Sequence, residues 1–120
     1  MPQGYNKSFG AEGESAACEF LSSNGFSIIS KNFYAGRSGE IDVIAAKGKL
    51  IVFAEVKARN SEMFGGGIYS ITESKKKKLR ASAKYYLLKN PEYNTTDYTS
   101  RFDLIIVKDG KIEWIEDIIR

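Results

Sequence analysis

Gly39-Glu40-Ile41-Asp42-Val43-Ile44-Ala45, followed after a short gap by Phe53-Ala54-Glu55-Val56-Lys57-Ala58-Arg59, is the stretch that decides the fold. Both segments are β-rich apolar runs with charged residues set into one alternating face. Gly48-Lys49 lies between them, and a Gly-first two-residue turn there makes the pair a hairpin. That turn opposes Lys47 to Leu50, and the ladder counted from it sets Asp42 against Glu55 and Glu40 against Lys57. Opposed residues share one side of a sheet with Cβ atoms about 4.5–5.5 Å apart, near enough for two carboxylates to reach one hard cation at about 2.0–2.1 Å each. A slip of two residues would keep the four charges on one face but offset them. A slip of one would scatter them. The other side, Ile41, Val43, Ala45, Val52, Ala54 and Val56, is wholly apolar, so the hairpin is expected to be buried. Carboxylates in such a place need a cation or a hydrogen-bond network.

Composition narrows the chemistry that such a hairpin can serve. A chain of 120 residues is expected to form a single domain, residues 1–120, and needs no disulfide staple. The one cysteine, Cys18, excludes an intrachain disulfide and multi-cysteine zinc clusters, and it suits a reducing cytoplasm. Histidine is absent, which removes His-metal nucleases, Ser-His-Asp and Cys-His hydrolases, and imidazole acid-base catalysis. Catalysis would have to run on carboxylates, lysines, tyrosines or a metal. The net charge of +3 is mild, so a partner must be argued from where the charges cluster. No stretch reads as a signal-peptide core or a membrane span, so the expected location is the cytoplasm with no membrane partner.

Outward from the hairpin, a first helix is expected from about Phe9 or Gly10 to Ser23, stopped by Asn24-Gly25. Its apolar stripe, Ala17, Cys18 and Leu21, extends at helical spacing to Glu14, while Glu12 and Glu19 fall outside. Glu14 either faces the sheet or serves the helix's first turns. Phe26–Tyr34 reads as a strand with imperfect alternation, which completes a three-strand meander with the hairpin. The loop from Arg59 to Tyr69 holds Gly65-Gly66-Gly67 and lacks a phosphate-loop pattern. A second helix begins near Thr72, with Ser70 and Glu73 at capping-box spacing, and runs to about Lys89. Leu79, Ala83, Tyr86 and Leu87 form its buried stripe. Lys75 and Lys76 extend that stripe toward the sheet, whereas Lys77, Arg80 and Lys84 share another face.

Most basic helix faces are merely solvated, but here one lies beside a carboxylate pair. Lys75, Lys76, Lys77, Arg80 and Lys84, joined by Arg59, are therefore candidates for holding nucleic-acid phosphates. Arg101–Val107 and Lys111 to about Ile118 complete the pattern as two strands turned at Asp109-Gly110. The passage from the third strand through the second helix to Arg101 should make the fourth strand parallel to the third. The last hairpin opposes Trp114 to Ile105 and Asp103 to Glu116. That second acidic pair reads as structural, with Arg101 or Lys111 available to neutralise it.

Asp42, Glu55 and the main-chain carbonyl of Val56 form a set of oxygen ligands suited to Mg²⁺ or Mn²⁺. Lys57, flanked by acids, stays an ammonium and is placed to orient an attacking water or neutralise a phosphate in its transition state. A plain Lys–Glu ladder on a sheet face is the alternative.

At these residues the chain resembles the PD-(D/E)xK, restriction-endonuclease-like superfamily, and within it the YraN family of endonuclease-like bacterial proteins. The resemblance rests on Gly10 to Leu21 with its Gly13-Glu14 pair, the two hairpin segments, Phe64-Gly65, the lysine-led helix and Arg101-Phe102-Asp103. It implies an α/β fold with an αβββαβ core, a mixed central sheet flanked by helices, and an added C-terminal strand. It also implies catalytic positions at Asp42, Glu55 and Lys57, with Glu14 matching the helix acid of archaeal Holliday-junction resolvases and Glu40 a further catalytic candidate; glycine or glutamate, Gly39-Glu40, precedes Ile41-Asp42 where many members have a proline beside the acid. The implied activity is metal-dependent hydrolysis of DNA, with branched or damaged duplex as the candidate substrate and a homodimer as a candidate assembly. A non-catalytic module that binds nucleic acid or protein is the competing class.

Overall fold

Five strands form one mixed sheet in the order β1-β2-β3-β4-β5, antiparallel throughout except where β3 runs parallel to β4. The computed structural model describes residues 4–59 and 71–119. Its elements are α1 (Gly4–Ser23), β1 (Ser27–Tyr34), β2 (Glu40–Lys47), β3 (Leu50–Arg59), α2 (Glu73–Lys89), β4 (Thr99–Lys108) and β5 (Lys111–Ile115), with short 3₁₀ turns at Gly36–Ser38 and Pro91–Tyr93. This is the expected α/β order of helix, meander, helix and two strands. The parallel β3–β4 pair is the expected product of the α2 crossover.

The helices cover opposite faces of the sheet. On one face Ala17 and Leu21 of α1 pack with Phe26, Val43, Ala45, Val52, Ala54 and Ile105. On the other, Ala83 and Tyr86 of α2 pack with Ile41, Ile44, Ile51 and Phe53. Burial on both faces explains why β3 is apolar at successive positions instead of alternating. Asn24-Gly25 ends α1 as expected, with Gly25 at φ 91° and the Asn24 N–H returned to the Phe20 carbonyl.

Several boundaries differ from the sequence reading. α1 begins at Gly4, not near Phe9; between Pro2 and the stripe no proline interrupts the chain, so a helix anchored by Ala17 and Leu21 propagates back. The α2 cap is Thr72, whose hydroxyl accepts the Lys75 N–H at 3.1 Å. Ser70 and the glycine loop, with Phe64-Gly65, lie outside the described residues. The irregular β1 carries a register shift between Ile28 and Ser30 and a left-handed Asn32 at φ 54°. β5 stops at Ile115 rather than near Ile118. There Asp117 takes a positive φ of 61° and donates its N–H to Asp103.

Asp103 shows how this fold settles a buried charge. Its side chain is fully buried, and its two oxygens accept from Arg101 Nε and Nη2, Trp114 Nε1 and the Asp117 backbone. Arg101 also reaches Glu116 at 3.4 Å. A bidentate guanidinium with two further donors satisfies the carboxylate without a metal. The second acidic pair is structural, and Arg101 neutralises it. No helix among the described residues is long and apolar enough to cross a membrane.

Candidate functional site

The hairpin register is the expected one from the turn inward: Lys47 opposes Leu50, Ala45 opposes Val52 and Val43 opposes Ala54. It does not continue to Asp42. There the ladder gives way, and the Asp42 side chain accepts the Val56 N–H through Oδ2 at 2.8 Å. The alternation breaks at the same point, because Ile41 packs on the α2 face with Ile44 while Val43 packs on the α1 face. Ile41 therefore does not share a face with Val43 and Ala45, as strict alternation required. A carboxylate bonded to a strand N–H replaces one rung and lets the strand turn over. In an antiparallel pair the N–H and C=O of one residue face the same neighbour, so the Val56 carbonyl also faces β2.

Glu55 lies on the α2 side of β3 and is nearly buried. Its side chain is 7% exposed, with Lys57 Nζ at 3.6 Å from one oxygen and Lys75 Nζ at 3.5 Å from the other. Lys57 thus finds its partner in Glu55 rather than in Glu40. Glu40 is exposed opposite Tyr34 of the edge strand, away from the pairing expected for it. Lys75 reaches Glu55 because Thr72 fixes the first turn of α2, so that the positive end of the helix and an ammonium arrive together beside an acid.

Asp42 carries the strongest electrostatic perturbation in this region. Its pKa is raised to about 7, first by burial and then by the charges of Glu55 and Glu14, against the opposing effects of the Val56 hydrogen bond and Lys75. Glu14 belongs to the site's field for a packing reason. Gly13 brings α1 so close to β3 that a Cβ there would stand 2.9 Å from the Ala58 Cβ, and the next residue then turns to the sheet end. Of the two roles open to Glu14, the sheet-facing one fits its half-buried position, and Glu12 and Glu19 are exposed as expected.

Asp42, Glu55, Lys57, Lys75 and the backbone of Val56 are therefore gathered at one end of the sheet, with Glu14 adding its charge. Lys76 is not in the group, because it pairs with Glu73 at 3.4 Å along its own helix. Lys77, Arg80 and Lys84 are exposed on α2. The Arg59 side chain lies outside the described residues. Sequence reasoning missed Ser82, which is buried and donates to the Ser38 carbonyl at 3.1 Å. That bond ties α2 to the turn preceding β2, and a serine in mid-helix gives no signal of it. Lys75, a phosphate-binding candidate by its place in the basic run, sits against Glu55, an approach that the inward lean of the α2 stripe implies.

The donor set suits a hard cation. Asp42 and Glu55 offer oxygen only, and the like charges that push the Asp42 carboxyl up are the ones a divalent ion would relieve. Among the described residues no group of three or more acidic, cysteine or histidine side chains could hold a metal ion unaided. An ion held by two carboxylates and a carbonyl would keep positions open for water or substrate.

Comparison with known proteins gives consistent matches across most of the chain. The family described as "Uncharacterised protein family UPF0102" matches residues 13–107. A UPF0102 protein of Clostridium perfringens is 48% identical over 103 residues, covering 86% of this chain and 81% of the relative. One from Francisella tularensis is 42% identical over 108 residues, covering 90% and 91%. One from Neisseria gonorrhoeae is 40% identical over 114 residues, covering 94% and 96%.

Proposed function

This chain belongs to the uncharacterised protein family UPF0102, and we propose that it is a divalent-metal-dependent DNA endonuclease of the restriction-endonuclease-like kind. The observation that carries the reading is the juxtaposition of Asp42 and Glu55 at the end of the sheet with the Lys57 ammonium against Glu55. A purely structural acid in this fold looks different. Asp103 is enclosed by four donated hydrogen bonds, whereas Asp42 is held in a like-charged setting that raises its pKa.

Asp42, Glu55 and the Val56 carbonyl would hold Mg²⁺ or Mn²⁺. Such an ion supplies Lewis-acid stabilisation of the charge that grows on a phosphate under attack. The remaining work falls to the protein. Lys57 presents a positive charge beside the scissile phosphate, where it neutralises the transition state more than the ground state. Glu14 adds negative charge, which would strengthen the site's attraction for a divalent cation. Lys77, Arg80 and Lys84 supply phosphate contacts along α2, which set position without reading sequence.

The test pairs binding with cleavage. Calorimetric titration with Mn²⁺ should show binding to wild type and none to the Asp42→Ala/Glu55→Ala variant. Linear, single-stranded, nicked and four-way DNA should be cut with Mg²⁺ or Mn²⁺ and left intact in EDTA. A wild type that binds no Mn²⁺ and cuts nothing would return these residues to a charge-paired ladder in a non-catalytic binding module.

A further inference from the structure

Beyond the acids, α2 and the first halves of β3 and β4 enclose a cleft of about 350 Å³. Its floor is the half-buried Phe102, backed by the fully buried Phe53, with the two ring centroids 5.5 Å apart and the planes 30° apart. Leu87 and Leu88 of α2 form the wall, and Arg80 and Lys84 stand at the rim. Leu88 is 66% exposed. A ligand seated in the cleft would cover it.

Charge and position select the occupant. No acid lines the cleft among the described residues, so its two cations face a slot with no built-in counter-charge. An apolar peptide side chain would leave both unused. A nucleotide uses all of it, because its base is flat and apolar on both faces while its phosphate is anionic. Phe53 and Glu55 project to the same side of β3 two residues apart, so the floor begins about 7 Å from the carboxylates. Along α2, Lys75 at the acids and Lys84 at the rim are separated by about 13 Å. That span is a few nucleotides of one strand.

We infer that this cleft holds an unpaired nucleobase a few nucleotides from the acids. The substrate class is then DNA with a single-stranded segment, such as a flap, gap or opened junction arm, rather than continuous duplex. A paired base cannot present its face to Phe102. The inference rests on the DNA-cleaving reading above and narrows its substrate.

Binding measured in EDTA separates the two. Anisotropy of a labelled duplex carrying a six-nucleotide overhang, against a blunt duplex of equal charge, should show the overhang bound about fivefold or more tightly, the equivalent of at least about 1 kcal/mol for a stacked base. Leu88→Glu, at an exposed position that the fold does not need, should erase that preference while blunt-duplex binding falls only slightly. Phe102→Leu keeps the apolar volume but removes the π-face, and it should reduce the preference in the same way. Equal affinity for overhang and blunt DNA, or an unchanged preference in Leu88→Glu, overturns the inference even if the protein cuts DNA. A retained preference with no Mn²⁺ bound at Asp42 and Glu55 would instead fail the endonuclease reading and leave the cleft standing.

Discussion

Asp42→Asn should make the metal-free protein more stable at neutral pH while abolishing its response to divalent ions. The Asp42 carboxyl titrates at about 7 in the fold against 3.8 as its ordinary value. Between those values the native state keeps a proton that the unfolded chain has released. Stability contributed by the neutral form is therefore complete below pH 3.8 and is lost as pH rises toward 7. At about 1.4 kcal/mol per unit, the loss approaches 4 kcal/mol. That figure is a ceiling, because solvent still reaches one side of the site. Asparagine keeps an oxygen for the Val56 N–H and carries no charge, so the penalty disappears. Urea unfolding of wild type and variant in EDTA, at intervals from pH 4 to pH 8, reads Asp42 by difference together with its charge coupling to Glu55 and Glu14, since titrations elsewhere are shared. The variant should gain on the wild type by about 2–4 kcal/mol across the range, nearly all of it below pH 7.5. Millimolar Mg²⁺ should restore the wild type, because a cation favours the ionised carboxylate, and should leave the variant unmoved. A difference that stays constant with pH would show that Asp42 does not occupy the desolvated, like-charged setting from which the metal site is argued.

Lys57→Ala should bind Mn²⁺ and DNA as wild type does but cut at least about a hundredfold more slowly, because the ammonium acts chiefly in the transition state; cleavage at the wild-type rate would remove this lysine from the mechanism. Lys75→Ala frees one Glu55 oxygen from its ammonium, so calorimetry should give Mn²⁺ affinity about two- to fivefold higher, a modest gain because the pair is partly exposed. Alanine at Lys77, Arg80 and Lys84 together should lower the slope of log affinity against log salt by about 0.9 for each phosphate no longer neutralised, alike for all DNA sequences. Arg101→Leu leaves the fully buried Asp103 without its guanidinium and should cost about 3–5 kcal/mol in urea unfolding, with Mn²⁺ binding retained in the folded fraction.

Much of the site was legible because a short β-turn carries register information. Gly48-Lys49 fixes which residues of β2 and β3 face each other from Lys47–Leu50 to Val43–Ala54, one pair short of the expected Asp42–Glu55. The same logic at Asp109-Gly110 placed Trp114 opposite Ile105. Helical spacing placed Glu12 and Glu19 outside but left Glu14 open between the sheet and the helix's first turns. What failed were extrapolations past a point where a side chain replaces the backbone. The ladder could not be continued to Glu40 and Lys57, because Asp42 takes the Val56 N–H and the strand turns Ile41 to the other face.

The sequence by itself determined the order of elements, the two turns and their registers, and the alternation that sets Glu55 and Lys57 on one side of β3, because each depends on residues close together in the chain. Tertiary structure alone decided how the charges are shared. Lys75 reaches Glu55, Ser82 ties α2 to the turn before β2, and the Asp42 carboxyl is raised by burial beneath elements drawn from distant parts of the chain. Pair energies and desolvation depend on separation in space, and the packing of α1 and α2 on opposite faces of the sheet sets those separations.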